Sequence, residues 1–189
     1  MKLFKDGWIY DGTGAEAFRG DILVDNDRIV KVSEDIHPEE GWEVVNLKGL
    51  SVAPGFIDAH SHNDWFAIKN EPQKYFEPFI RQGITSFVAG NCGLSAVGFE
   101  ADSQHVDKVG GGLFSFTDTT GVYPTVAEFF EAVDGNSPCN MAVLAGHCSA
   151  RASVAGYENR PLTDAERTKM LGIMENALRE GACGLSLGL

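Results

Sequence analysis

The first fifty residues read as short apolar strands broken by polar turns, with no helical repeat. Leu3-Phe4-Lys5 and Trp8-Ile9-Tyr10 stand on either side of Asp6-Gly7, a dipeptide that favours tight turns, and Asp11-Gly12-Thr13-Gly14 follows. Ile22-Leu23-Val24 and Arg28-Ile29-Val30-Lys31-Val32 flank Asp25-Asn26-Asp27, which predicts a hairpin. Glu43-Val44-Val45-Asn46-Leu47 predicts one more strand before Gly49. Residues 1–50 therefore read as a small β-strand domain, and nothing in them carries chemistry.

From residue 51 to residue 189 the pattern becomes strand, helix, strand, helix. An extended apolar run, Ser51-Val52-Ala53 and Gly55-Phe56-Ile57-Asp58-Ala59-His60, is interrupted by Pro54. A helix is expected over 72–82, with Pro78 giving it a late start or a kink. Ile84-Thr85-Ser86-Phe87-Val88-Ala89 reads as a buried strand, and a long glycine-rich loop follows over 91–121. Val126–Val133 is a short helix, and Met141-Ala142-Val143-Leu144-Ala145 a third strand. Thr163-Asp164-Ala165-Glu166 forms a capping box, in which Thr163 and Glu166 satisfy each other's free backbone amides. Met170, Ile173, Met174, Ala177 and Leu178 then recur at helical spacing, and Ala182-Cys183-Gly184-Leu185-Ser186-Leu187 is a fourth strand. Near-continuous apolar strands alternating with helices imply a parallel sheet covered on both faces. Four such strands match the first half of a (β/α)8 barrel of TIM type, which takes about 250 residues when complete. The competing architecture, an open doubly wound sheet, would carry a Gly-rich phosphate loop after its first strand, and this sequence has none there.

Charge and composition narrow the function classes. Of 189 residues, 43% are hydrophobic and 22% charged, as in ordinary globular proteins. A formal net charge of −12 disfavours nucleic acid and anionic membrane as partners, since both need a basic face. No run of apolar residues approaches a membrane span, and the N-terminus turns polar too soon for a signal peptide. The four cysteines form no CxxC pair, so a reduced, cytoplasmic setting is expected.

The chemistry concentrates in Pro54-Gly55-Phe56-Ile57-Asp58-Ala59-His60-Ser61-His62. Two histidines two apart on a strand point to one face, and paired imidazoles there form a chelate for zinc, copper, iron or nickel. They are expected at the C-terminal strand end, where barrel enzymes build their sites. Two partly exposed histidines at a strand edge are the plain alternative. Cys92, after the second strand in Gly90-Asn91-Cys92-Gly93, occupies the corresponding position one strand over, and a thiolate is a strong zinc ligand. His147 ends the third strand, with Arg151 following it.

These motifs resemble the amidohydrolase superfamily, whose first barrel strand ends in P-G-x-I-D-x-H-x-H. Within it, Asp11-Gly12-Thr13-Gly14, Gln82-Gly83-Ile84-Thr85, Gly90-Asn91-Cys92-Gly93, Gly146-His147 with Arg151, and Gly181–Leu189 resemble the N-acyl-D-amino-acid deacylases (D-aminoacylases). The resemblance implies a small N-terminal β-domain that is part of a composite β-sandwich, followed by the first half of a metal-dependent hydrolase barrel. It implies His60, His62 and Cys92 as metal ligands, with zinc, one or two ions in the whole enzyme, as cofactor. The matching cysteine takes the place of a metal-bridging lysine on strand four, and no lysine follows Lys169 here. Leu187 departs from the threonine usual at its position. His147 and Arg151 are implied either as substrate-pocket residues or as loop anchors.

The implied reaction is hydrolysis of the amide bond of an N-acyl-D-amino acid, a small-molecule substrate. Further histidines and a proton-handling aspartate would come from later strands, so the chain on its own is expected to be inactive, to bind zinc weakly, and to self-associate or lack a C-terminal half. Two alternatives remain at this point. One is a cyclic amide hydrolase of dihydroorotase or hydantoinase type, and the other is an inactive half-barrel with no catalytic function.

Overall fold

In the computed structural model, which describes residues 1–188, the strand-rich N-terminal segment is built around one central strand, β1 (Lys2–Ile9). β2 (Phe18–Asp25) runs antiparallel to β1, and β3 (Arg28–Ser33) completes the expected hairpin, which turns at Asn26 with φ 52°. On the other edge of β1, β4 (Glu43–Asn46) and then β5 (Ser51–Val52) pair with it in parallel.

Asp6-Gly7 does not reverse the chain as its composition suggested. It makes a bulge inside β1, with Asp6 at φ 64° and a register shift against β2 between Phe4 and Gly7. An aspartate tolerates that left-handed conformation, and here the Asp6 N–H gains a buried partner, donating to the Asp21 carboxylate at 2.9 Å. Asp21 also accepts from the Ile36 N–H at 2.8 Å and pairs with Lys5 at 2.8 Å. Burial opposes the charge on Asp21, but the Lys5 ammonium and the two N–H groups hold its carboxyl below the ordinary range. Leu3, Leu23 and Ile36 form the small core beside it, with Trp42 against them.

Two compact units result, Met1–Gly55 and a second that begins at Phe56. The division lies five residues later than the change of pattern at residues 50 and 51 suggested. Ser51 and Val52 pair with Trp8 and Ile9 and so extend the first sheet.

The second unit contains β6 (Phe56–Asp58), α1 (Asp64–Ala67), α2 (Gln73–Arg81), β7 (Ile84–Ala89), α3 (Val126–Val133), β8 (Asn140–Gly146), α4 (His147–Ala155), α5 (Asp164–Arg179) and β9 (Gly184–Ser186). Its strands are parallel, in the order β6-β7-β8-β9. Each strand adds to the same edge as the one before it. A half-barrel does this, whereas a doubly wound sheet reverses direction at a switch point. The core consists of Trp65, Ile68, Phe76, Phe87, Val97, Val109, Val126, Phe129 and Val143, all 1% exposed or less.

α5 carries its capping box, and α3 carries a second one between Thr125 and Glu128. α2 begins directly after Pro72 and runs through Pro78, so the interior proline does not delay its start. α4 follows β8 without a linker and was not visible in the apolar pattern. Its buried face is built from alanines together with Ser149 and Ser153, 0% and 2% exposed.

Those two hydroxyls fasten the long 91–121 segment. Ser149 accepts from the Ser95 N–H at 2.9 Å and donates to the Val109 carbonyl at 2.9 Å, while Ser153 accepts from the Glu100 N–H at 3.0 Å. The segment is therefore not a solvated loop; it supplies Val97, Phe99 and Val109 to the core. Among the described residues, no helix is long and apolar enough to cross a membrane.

Candidate metal centre

β6 ends at Asp58, so His60 and His62 lie in the bend beyond the strand and not on it. Strand alternation therefore does not bring them together. Two local turns do. Asp58 accepts from the His60 N–H at 3.0 Å, and Ser61 Oγ accepts from the Asn63 N–H at 3.0 Å. The Ser61 N–H donates to the Val88 carbonyl at 2.9 Å, which ties this bend to the end of β7. The two imidazoles stand edge-on, with ring centroids 5.9 Å apart.

Cys92 comes from the turn after β7, where Asn91–Gly93 form a short 3-10 turn and Cys92 takes a left-handed conformation, φ 55° and ψ 24°. The glycines on each side are steric requirements. Gly90 has φ 76°, and a Cβ there would collide with the Leu144 carbonyl oxygen of β8. At Gly93, with φ 75°, a Cβ would lie 2.6 Å from Cys148 Sγ and 2.8 Å from the Gly188 nitrogen. Asn91, 9% exposed, donates from Nδ2 to the carbonyls of Ser61 at 3.2 Å and Val88 at 2.9 Å. From the other side, Ser186 of β9 donates to the Gly90 carbonyl and accepts from the Gly93 N–H at 3.0 Å.

As a result, one donor atom each from His60, His62 and Cys92 lies within 4.8 Å of the others, and Cys92 Sγ is 3.4 Å from His60 Nε2. Ligand atoms around a tetrahedral zinc stand about 3.5 Å apart, so this trio needs only a small closure to hold one ion. His62 Nδ1 is buried without a hydrogen-bond partner. Burial, and then the neighbouring His60, push the His62 imidazole below its ordinary pKa, against the Leu94 carbonyl, which favours the charged form. A neutral imidazole is the form that binds metal, and two imidazoles with a thiolate make a soft donor set that suits zinc.

His62 opens a run of four consecutive side chains with an unpartnered buried polar atom, continuing through Asn63 Nδ2, Asp64 Oδ1 and Trp65 Nε1. Asp64 is fully buried at the start of α1, and burial pushes its carboxyl up to about 7, although the Ala96 N–H, donating at 2.8 Å, pulls the other way. His62 also stacks on Phe114, with ring centroids 5.2 Å apart.

His147 and Arg151 do not join this trio. They line a separate hollow of about 280 Å³ with Leu94, Lys108, Cys148 and Tyr157, and none of His60, His62 and Cys92 lines it. The Arg151 guanidinium donates to the carbonyls of Glu158 at 3.0 Å and Arg160 at 2.8 Å, so it anchors the loop after α4. The sequence motif contained Asn91 without disclosing its bridging role. Ser186 lay in the Gly181–Leu189 motif without any sign that it clasps the Cys92 turn, and Phe114 carried no motif signal at all.

Comparison with known proteins places these features in context. The sequence model described as "Amidohydrolase family" matches residues 43–189. An N-acyl-D-aspartate deacylase of Alcaligenes xylosoxydans xylosoxydans is 36% identical over 183 residues, covering 95% of this chain and 35% of the relative. A D-aminoacylase structure, described in connection with a binuclear metal centre, superposes with a TM-score of 0.82 at 29% identity, covering 99% of this chain and 38% of that one. The structure of N-acyl-D-glutamate deacylase from Bordetella bronchiseptica, complexed with zinc and a phosphonate inhibitor, superposes with a TM-score of 0.77 at 32% identity, covering 100% and 38%. The chain thus spans a little over a third of the length of the relatives it matches.

Proposed function

The chain belongs to the amidohydrolase family, and from that premise we propose that it contributes His60, His62 and Cys92 to the zinc site of an enzyme that hydrolyses N-acyl-D-amino acids. The convergence of these three donor atoms within 4.8 Å of one another carries the reading. Its substrate side is supported by the deacylase relatives and by the Gly-Asn-Cys-Gly turn, whose two glycines and left-handed cysteine are each dictated by a contact or a backbone angle.

A zinc ion held there would supply Lewis-acid chemistry to an amide carbonyl and to water. The chain's own contribution is positional. Asn91 and Ser186 clasp the Cys92 turn between the bend after β6 and β9, and burial favours the neutral form of His62. A reducing cytoplasm would suit a site built on a free thiol. Phe56 and Ile57 on β6 and Leu185 on β9 are half or more exposed, which supports either cover by another chain segment or self-association; sedimentation of the purified protein separates a monomer from a larger species.

The metal assignment is tested by equilibrium zinc binding in competition with a chromophoric chelator. Wild type should bind zinc measurably if weakly, and H60A, H62A and C92A should each bind it more weakly still. Equal affinity in C92A would remove the thiolate from the site and with it the deacylase reading. For the substrate, hydrolysis of N-acetyl-D-aspartate against its L enantiomer by a protein that includes this chain tests the stereochemical class.

A further inference from the structure

We propose that Phe114, carried by the segment between β7 and α3, is a positioning residue for His62 and fixes the imidazole in the orientation that offers a donor to the metal. This inference rests on the reading of His60, His62 and Cys92 as a zinc site.

A metal-binding histidine is usually oriented by a hydrogen bond from its second ring nitrogen to a carboxylate or carbonyl, and loss of that partner weakens binding 10- to 100-fold. In this chain His62 Nδ1 is buried without a hydrogen bond, and the Leu94 carbonyl acts on the ring only as a weak opposing influence on its charge. An aromatic stack holds the ring by its face instead. The Phe114 ring lies on the imidazole with centroids 5.2 Å apart and planes 27° from parallel. The same ring stacks on Trp65 at 5.4 Å and 11°. Trp65 is 1% exposed and in contact with Phe116 at 5.0 Å, and Phe116 with Phe99 at 5.5 Å. The imidazole is therefore the outer end of a column of rings that begins in the core.

The backbone around Phe114 is fixed as well. Lys69 Nζ donates to the carbonyls of Thr117 at 2.5 Å and Ser115 at 3.3 Å. Asn70 bonds Asp118 through both its backbone, at 3.1 Å, and its side-chain amide, at 2.7 Å. The Thr120 N–H donates to the Ile68 carbonyl at 2.8 Å. Residues 68–70 directly follow α1, so the stretch that starts at His62 also holds the segment that returns to stack on it. Sequence gave no hint of this, because a phenylalanine in a glycine-rich segment looks the same whether it packs on core or on a ligand.

The test compares zinc affinity, by competition with a chromophoric chelator, in wild type, F114A, F114L, F114Y and H62A, and records the cobalt(II) absorption spectrum of each. F114A should bind zinc about 10-fold more weakly, F114Y should recover most of the affinity, and the cobalt bands of F114A should shift while its circular dichroism stays that of wild type. If F114A does not fold, F114L keeps the apolar volume without the flat stack: weakened binding by folded F114L supports the proposal, and wild-type binding overturns it. A folded F114A with wild-type affinity and an unchanged cobalt spectrum also overturns it, while leaving the metal site itself intact. If H62A binds zinc as wild type does, the metal-site reading falls, and the proposal falls with it.

Discussion

The side-chain amide of Asn91 donates to the carbonyl of Ser61, 30 residues earlier, at 3.2 Å, and to the carbonyl of Val88 at 2.9 Å. Ser61 lies between His60 and His62, and Asn91 is the immediate neighbour of Cys92. One amide thus bridges the turns that present His60, His62 and Cys92. Removing it in N91A should weaken zinc binding 10- to 100-fold, as loss of an outer-shell partner does, and lower stability by about 1–3 kcal/mol through the Ser61 carbonyl left unpaired, while the Val88 carbonyl keeps the Ser61 N–H. N91D should be worse than N91A, because a carboxylate faces two carbonyl oxygens with no N–H to give. Chelator competition and urea unfolding read the two effects separately. An N91D protein with wild-type zinc affinity would show that the two turns hold their spacing without this bridge.

The glycines of the same turn allow a sharper comparison. Gly90 and Gly135 share the left-handed region, with φ 76° and 68°. At Gly135 an added Cβ meets nothing within 4 Å, while at Gly90 it collides with the Leu144 carbonyl. G135A should cost only the backbone term, about 1–2 kcal/mol. G90A adds a clash with backbone that cannot rotate away and should cost about 2–4 kcal/mol, with loss of zinc binding. Urea unfolding of the two variants checks the difference, and equal costs would mean that β8 yields to make room.

How much of this was legible in sequence depended on whether a residue's role is written in its chemistry or in its neighbours. That His60, His62 and Cys92 come together was legible because few residue types bind zinc and their motifs fall just after successive strands. β7, α3 and α5 were legible because their apolar residues follow the period of the element. α4 was not, since Ser149 and Ser153 turn inward to bond backbone N–H groups of a distant segment, which inverts the usual polar-out pattern. Asp6-Gly7 failed for a related reason: a locally favoured turn gave way to a bulge because Asp21 supplied an acceptor from another strand.

Glu180 makes a comparable long-range contact. It lies just past α5, yet its carboxylate accepts from the N–H groups of Val126 at 3.0 Å and Ala127 at 3.4 Å, at the start of α3. Those amides have no partner within their own helix, and an anion there also meets the positive end of the helix dipole. E180A should destabilise the second unit by about 1 kcal/mol, and E180Q by less, since the amide oxygen still accepts. Thermal unfolding measures both. A neutral E180A would mean that the Thr125–Glu128 capping box alone suffices for α3.

The last prediction concerns pH and the N-terminal unit. Asp21 is buried and bonded to Lys5 and to the N–H groups of Asp6 and Ile36, and its carboxyl is held below 3.8 despite the opposing effect of burial. A carboxyl whose folded pKa is depressed binds protons more readily in the unfolded chain, so it stabilises the fold above its unfolded value of 3.8 and loses that contribution as pH falls through the lower, folded value. Lys5 behaves in the opposite sense. Hydrogen bonds from its ammonium to Asp21 and then to Asp35 raise it above 10.5, so its contribution is complete below that pH and disappears as pH rises past the folded value. The unit should therefore loosen first at both extremes, below about pH 4 and above about pH 10.5. Amide exchange at Asp6 and Ile36, the two donors to Asp21, reports this locally. In D21N exchange at both sites should be faster at neutral pH, and its acid dependence should flatten, because the group that titrates has been removed. An acid limb that stays equally steep in D21N would assign it to carboxylates other than Asp21.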